Sequence, residues 1–130
     1  KSIGISPTEA YQGTDDFLYI FKEQQDIISI NPDFRLLASQ TKRGLIVSAP
    51  GNNVDFVSRF FCPAIGIDED PATGSIHTLL TPYWSKKLSK KSMVAHQLSN
   101  RGGELFLTNK GERTEISGKG VLYMEGNLTV

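Results

Sequence analysis

Residues 73–90, TGSIHTLLTPYWSKKLSK, carry the most regular hydrophobic pattern in the chain. Apolar side chains recur there at the spacing of one wide helical stripe. They are Ile76, Leu79, Leu80, Tyr83, Trp84 and Leu88. Lysines gather at the end of the stretch, where the helix dipole favours cations. The pattern predicts one long helix from Thr73 to about Lys90, with a kink or a local break at Pro82.

Short apolar runs typical of β-strands lie on both sides of this helix. We expect four strands before it, at residues 16–21, 26–30, 44–49 and 54–61. We expect four more after it, at residues 93–98, 105–108, 112–117 and 121–125. The first two should pair as a hairpin through a polar turn.

Two capping signals complete the pattern. The sequence SPTE at residues 6–9 resembles a capping box and predicts a short turn. Asn31, Pro32 and Asp33 precede a short helix predicted at residues 34–40. Because strands and helices do not alternate, a parallel doubly wound sheet is disfavoured. We expect an α+β fold in which a curved, largely antiparallel or mixed sheet wraps around one long central helix.

Composition limits the classes of function. The chain has 130 residues, which suits one domain with a real core. Its 14 basic and 14 acidic side chains cancel, which argues against a nucleic-acid partner. No apolar run reaches the length of about 18 residues that a membrane span needs. The single cysteine, Cys62, excludes an internal disulfide framework and fits a reducing, cytoplasmic setting.

The first candidate site is GIDEDPATGSIH at residues 66–77. Thr73, Gly74 and Ser75 open the predicted helix, and the amides at a helix start bind carboxylate or phosphate. Asp70 lies just before them and could move protons on a bound acid. The alternative is that Asp70 or Thr73 simply caps the helix, as these residue types often do.

The second candidate site is QLSNRGG at residues 97–103. Its double glycine predicts a tight turn or a bulge where the backbone approaches another group closely. Arg101 could clamp an anion there beside Gly102. A plain hairpin turn with a solvated Arg101 is the alternative. The two histidines, His77 and His96, lack metal-ligand spacing, so we expect no metal site.

These motifs, in this order, resemble the C-terminal half of the PhzF-like family of phenazine-biosynthesis isomerases, which shares its fold with diaminopimelate epimerase. The resemblance extends from about Phe17 to the end of the chain. It rests on FVSRFF at residues 56–61 with Pro63, EDPATGS at 69–75 with His77, PYW at 82–84, QLS at 97–99, RGG at 101–103 and ISG at 116–118.

The resemblance implies two similar domains, each a curved sheet around a central helix, with the active site in the cleft between them. It also implies a reaction without a cofactor, in which a Glu of the N-terminal domain is the main proton shuttle. The residue that matches the assisting aspartate is Asp70, and Gly74 and Ser75 match substrate contacts. Diaminopimelate epimerase has a catalytic cysteine in the corresponding loop. Asp70 occupies that place here, so epimerase chemistry of that kind is disfavoured.

The resemblance further implies that the N-terminal domain is missing. Residues 1–15 would then be a linker at the start of a fragment, and residues 16–130 the C-terminal domain. We expect half an active site for a small carboxylic acid, with Asp70 catalytic and Thr73, Gly74, Ser75, Arg101 and Gly102 binding substrate. The chain alone should be inactive, and it should pair with the N-terminal domain or with a second copy in a two-fold dimer. The alternative function is a non-catalytic anion-binding or scaffold domain.

Overall fold

The computed structural model of the protein describes residues 2–129, which contain eight β-strands and three α-helices. The elements before the candidate site are β1 (Glu9–Gln12), β2 (Asp16–Ile20), α1 (Gln24–Ser29), α2 (Phe34–Gln40), β3 (Gly44–Pro50), β4 (Phe56–Cys62) and β5 (Ile67–Glu69). The elements after it are α3 (His77–Leu88), β6 (Ser92–Gln97), β7 (Gly103–Asn109) and β8 (Thr114–Gly118). None of the helices in residues 2–129 is long and apolar enough to cross a bilayer.

All eight strands form one mixed sheet. Its order is β1-β2-β3-β4-β6-β7-β8, and β5 pairs with β4 beside this path. The pairs β2–β3 and β4–β6 are parallel, and the other pairs are antiparallel. Parallel neighbours need a crossover connection, which α1 and α2 provide for the first pair and α3 for the second. The predicted α+β class with a mixed sheet is therefore confirmed.

One face of the sheet packs against α3. Ile76, Leu80 and Trp84 are buried there at intervals of four residues. The Trp84 ring stacks on Phe56 with 5.5 Å between ring centroids, and its Nε1 donates a hydrogen bond to Ser48 Oγ over 2.9 Å. Burial of these side chains fixes α3, and with it the loop that precedes α3, against the strands.

The opposite face packs against α1 and α2 through Ile27 and Leu37, which are both buried. Arg59 on β4 ties α1 to this face. Its Nη1 donates to the carbonyl oxygens of Ile27 and Ile30 over 3.1 and 2.8 Å. Its Nε and Nη2 donate to the carboxylate of Glu69 on β5.

The prediction of one long central helix is not confirmed, because α3 has 12 residues and begins at His77 instead of Thr73. The amide of His77 donates to Gly74 O over 3.0 Å, which closes a tight turn ahead of the helix. The Ile76 side chain is fully buried although it lies in this turn, so the apolar stripe extends beyond the helix. Pro82 lies inside the helix and does not end it.

The predicted hairpin of residues 16–21 and 26–30 is wrong in its second half. Residues Gln24–Ser29 form α1, and β2 pairs with β1 and β3 instead. Glu23 and Asp26 form a reciprocal capping box at the start of this helix. Ile27 and Ile30 are three residues apart and are both buried. This spacing suits a helix, so the packing of these side chains favours a helix over a strand.

Both ends of the chain also differ from expectation. The SPTE segment leads into the strand β1 rather than a turn, and Ile3 is 4% exposed in the core. Residues 2–15 are therefore part of the folded unit and not a separate linker. At the other end, residues 121–125 form no strand, and Val121 and Tyr123 are 94% and 97% exposed. A strand needs a neighbour to pair with, and no strand within residues 2–129 lies beside this segment.

Candidate functional site

The backbone and hydroxyl of Thr73 are held by two fully buried side chains. The Thr73 amide donates to Gln97 Oε1 over 2.8 Å, and Gln97 Nε2 donates to Thr73 Oγ1 over 3.0 Å. The Thr73 carbonyl accepts from His77 Nδ1 over 2.7 Å. Gln97 ends β6 and His77 begins α3, so the sheet and the helix together fix the loop between β5 and α3.

The Asp70 carboxylate is anchored through one oxygen. Its Oδ2 accepts a hydrogen bond from the Thr73 hydroxyl, and its backbone carbonyl accepts from Gln97 Nε2 over 2.7 Å. Within residues 2–129, Oδ1 accepts no hydrogen bond. The side chain is half-buried. Asp70 therefore presents one oriented carboxylate oxygen that is free for another group.

The capping alternative for these residues is wrong. The residue before α3 is Ile76, and no side chain caps the helix there. Asp70 accepts from the hydroxyl of Thr73 and not from an amide of the helix. The two side chains serve to order the loop, which leaves the first amides of the turn without a cap.

Those amides form the part of the site that suits an anion. Within residues 2–129, the backbone amides of Gly74, Ser75 and Ile76 donate no hydrogen bond. Gly74 is exposed, and a Cβ added to it would meet no atom within 4 Å. Unpaired amides at the start of a helix carry partial positive charge. Gly74 and Ser75 are exposed whereas Ile76 is fully buried, so a carboxylate that approached Gly74 would meet the amides of Gly74 and Ser75.

The turn between β6 and β7 lies against the same loop. Gly102 has φ of +76°, and its amide donates to Ser99 Oγ over 3.0 Å. Ser99 Oγ donates in turn to Pro71 O over 2.7 Å. A Cβ added to Gly103 would lie 3.0 Å from Ala72 Cβ. The predicted close approach of backbone is confirmed, and the segment also serves as a hairpin turn.

Arg101, Gly102 and Gly74 line one groove of about 450 Å³, which β8 residues 116–118 also line. Arg101 is exposed on the rim of this groove. The structure thus brings Gly74 together with Arg101 and Gly102. Asp70, Thr73 and Ser75 adjoin Gly74 along the chain but do not line this groove.

Sequence reasoning missed Arg43 and Asp16. Arg43 Nε donates to Asp16 Oδ1 over 2.8 Å, and Nη2 binds the other carboxylate oxygen. The remaining nitrogen, Nη1, donates to Ser75 Oγ over 3.2 Å. Hydrogen bonding to Asp16 raises the pKa of Arg43 above its ordinary value, so the group stays charged. Arg43 precedes Ser75 by 32 residues, and no local sequence motif predicts the contact.

Two other titratable groups near the site are unsuited to proton transfer or nucleophilic attack. Burial lowers the pKa of His77, and the hydrogen bond to Thr73 O opposes this shift only in part, so the ring is neutral near pH 7. Burial raises the pKa of Cys62 to about 11, with a further contribution from the charge of Asp70. A protonated, buried thiol is a poor nucleophile. Among residues 2–129, no cluster of His, Cys, Asp and Glu could hold a metal ion.

A larger groove of about 630 Å³ lies elsewhere, between α3 and the edge of the sheet at β1 and β2. Tyr11, Leu18, Leu79 and Tyr83 give it largely apolar walls. None of the predicted site residues lines it. Its size does not by itself make it the candidate site, because two of its charged side chains, Glu9 and Lys87, pair with each other and the unpaired amides of Gly74 and Ser75 do not line it.

The chain is similar to known proteins in both sequence and structure. The chain is 44% identical over 128 residues to an uncharacterized isomerase of Pseudomonas aeruginosa, covering 98% of this chain and 49% of that protein. A PhzC/PhzF phenazine-biosynthesis protein of Clostridium difficile has a similar structure, with a TM-score of 0.87, 43% identity and coverage of 98% and 49%. A PhzF-family protein of Enterococcus faecalis follows with a TM-score of 0.80, 38% identity and coverage of 95% and 50%.

The chain spans about half the length of the relatives that it matches. The family model for phenazine biosynthesis-like proteins matches residues 3–126, which is nearly the whole chain. The family membership predicted from the EDPATGS and RGG motifs is confirmed. The chain therefore belongs to the phenazine biosynthesis-like protein family.

Proposed function

We propose that the chain is the C-terminal half of a cofactor-independent isomerase that transfers a proton on a small carboxylic acid. Asp70 is the acid–base group that this half contributes. The single observation that carries the proposal is the free Oδ1 of Asp70 four residues before the unpaired amide of Gly74. Family membership supports it, as does the name isomerase given to the relative from Pseudomonas aeruginosa.

In the proposed mechanism, the amides of Gly74 and Ser75 and the Ser75 hydroxyl bind the substrate carboxylate. Thr73 holds Oδ2 of Asp70, so the free Oδ1 can exchange a proton with carbon. Negative charge that develops on the substrate is stabilised by the same amides, which are already oriented. Arg101 and Gly102 line the adjoining groove and would contact a second polar group of the substrate.

The site needs a partner to close it. We propose that the second acid–base group and the opposite wall come from an N-terminal domain, or that a second copy covers this face in a two-fold dimer. The apolar groove between α3 and β1 is not lined by the predicted site residues, but water-exposed apolar area of this kind favours association with a partner. The buried thiol of Cys62 fits a reducing, cytoplasmic setting.

The binding part of the proposal is tested on the 130-residue chain by NMR titration with acetate. We expect the amide signals of Gly74 and Ser75 to shift progressively as acetate is added. If these signals stay still while those of a distant patch move, the assigned site is wrong.

The catalytic part is tested by Asp70→Asn in a protein that joins this chain to the half its relatives carry. Small unsaturated carboxylic acids are incubated in D₂O, and deuterium incorporation at carbon is followed by NMR. We expect a loss of about 10²- to 10⁴-fold, because Asn cannot accept the proton. Asp68→Asn, two residues away on exposed β5, is the matched control and should keep the rate of the parent.

A non-catalytic anion-binding or scaffold domain is the second candidate. The observation that favours it is that Thr73 already engages the Asp70 carboxylate, which gives Asp70 a structural role. In that case Asp70→Asn would leave deuterium incorporation and acetate binding unchanged and would alter only stability. The same assay therefore distinguishes the two functions.

A further inference from the structure

We infer that Arg43 is a positioning residue of the candidate anion site. It turns the Ser75 hydroxyl into a dedicated donor toward a bound carboxylate and places the positive end of an ion pair beside it. The inference rests on the proposed function, because it concerns the same anion at the Gly74–Ser75 turn.

The orientation of the Arg43 guanidinium is fixed by Asp16. The Asp16 side chain is only 2% exposed, and both of its oxygens bind the guanidinium. The parallel register pairs Asp16 on β2 with Gly44 on β3, which brings Arg43 next to this carboxylate. The Arg43 Cζ also lies 5.4 Å from the centroid of the Phe60 ring. Nε and Nη2 are engaged by Asp16, which leaves Nη1 as the nitrogen that contacts Ser75.

The contact determines what the Ser75 hydroxyl can do. A guanidinium only donates hydrogen bonds, so Ser75 Oγ must be the acceptor in this pair. The hydroxyl proton of Ser75 therefore points away from Arg43. Within residues 2–129 it has no acceptor, and Ser75 is exposed. The hydroxyl then adds one oriented donor to the unpaired amides of Gly74, Ser75 and Ile76.

The ion pair also contributes electrostatically. Arg43 and Asp16 together are neutral, so the pair acts over short range as a dipole. Arg43 lies between Asp16 and Ser75, since it contacts both, and the positive end thus faces the turn. Most of the effect of Arg43 on an anion should accordingly depend on the Ser75 hydroxyl and not on net charge.

The test is an NMR titration of the 130-residue chain with sulfate, followed at the Gly74 and Ser75 amides. Arg43 is removed in the double variant Asp16→Asn/Arg43→Gln, which leaves no unpaired buried carboxylate. We expect sulfate to bind about fivefold more weakly, the usual value of one hydrogen bond. Arg35→Gln, on the exposed surface of α2, is a control for the loss of an arginine and should bind as the unmodified chain does.

A second variant separates positioning from simple attraction. Ser75→Ala should also weaken sulfate binding about fivefold. Adding it to the double variant should cause little further loss, because Arg43 acts through the hydroxyl that Ser75→Ala removes. Additive losses would overturn the positioning role, and so would unchanged affinity in either variant. Ser75 is exposed, so this variant keeps the inference testable if the double variant fails to fold.

The outcome for the unmodified chain separates the two claims. If sulfate does not shift the Gly74 and Ser75 amides at all, the anion site itself is wrong, and the role of Arg43 fails with it. If sulfate shifts them equally in the unmodified chain and in the double variant, only the role of Arg43 is wrong.

Discussion

Gln97 and Thr73 are joined by two hydrogen bonds that run in opposite directions. The side-chain oxygen of Gln97, Oε1, accepts from the backbone amide of Thr73, and the side-chain nitrogen, Nε2, donates to the Thr73 hydroxyl. The second hydrogen bond takes one acceptor position of that hydroxyl and so directs its proton to Asp70. A buried residue at the end of a strand thereby sets the orientation of the candidate catalytic carboxylate.

Gln97→Leu should destabilise the protein strongly. The Gln97 side chain is fully buried, and its loss leaves the Thr73 amide and the Asp70 carbonyl without their partner. We expect the free energy of unfolding to fall by about 2–4 kcal/mol, measured by urea denaturation. His96→Gln, on the adjacent outward-facing position of β6, is the control and should remain near the unmodified chain. A loss below about 0.5 kcal/mol for Gln97→Leu would show that this network does not order the loop.

Gly44→Ala and Gly74→Ala should have opposite effects, since the first should lower stability and the second should weaken acetate binding. A Cβ at Gly44 would clash with Phe61 O and lie 2.6 Å from the Phe60 ring, so Gly44→Ala forces β3 away from β4. We expect it to lower the free energy of unfolding by about 1–3 kcal/mol in urea denaturation. Gly74→Ala meets open space and should unfold like the unmodified chain. Its methyl group should nevertheless weaken acetate binding, because it covers the amides of the turn.

For this pair, the informative measurement is the combination of stability and binding on the same samples. Acetate that binds Gly74→Ala as tightly as the unmodified chain would argue against ligand approach over Gly74. Equal stabilities for the two alanine variants would argue against the close contact at Gly44.

The stability of the protein should decrease as the pH falls below the ordinary histidine pKa of 6.5, because burial lowers the pKa of His77 in the folded state. The unfolded chain takes up the proton first in this range, which favours unfolding by up to about 1.4 kcal/mol per pH unit. Urea denaturation from about pH 7.5 to about pH 5.5 should show a smaller decrease for His77→Asn. An identical slope for His77→Asn would remove His77 as the cause.

Much of the fold could be predicted because local signals agreed with packing. Residues 34–40 form a helix whose start, Asp33, accepts a hydrogen bond from the Leu36 amide over 2.9 Å, as the NPD sequence indicates. The continuous apolar run at Gly44–Pro50 forms β3, which is buried on both faces in the middle of the sheet. At these positions, the local sequence signal and the burial of the side chains favour the same element.

Other elements could not be predicted because a short apolar run suits either a strand or a helix. Residues 26–30 were such a run, and the capping box at Glu23 and Asp26 was the signal that could have identified α1. The start of α3 was missed for a related reason. Ile76 fits the helical stripe and is buried, yet it lies in the turn before the helix.

The candidate site was predictable where its residues are close in sequence. The double glycine predicted a close approach of the backbone to another group, and the structure identifies that group as Ala72. The contact of Arg43 with Ser75 was not, because it depends on the parallel pairing of β2 with β3. The assignment of Asp70, Thr73, Gly74, Ser75, Arg101 and Gly102 to substrate remains a prediction for the titrations above to test.

The close contact between Gly103 and Ala72 should also limit which amino acids can replace these two residues during evolution. The two positions share one small volume, since a single added methyl group at residue 103 would already lie 3.0 Å from Ala72 Cβ. A larger side chain at either position would separate the turn after β6 from the loop that carries Asp70. A side chain gained at residue 103 should therefore be accepted in evolution most readily together with Ala72→Gly, which removes the methyl group that it would meet.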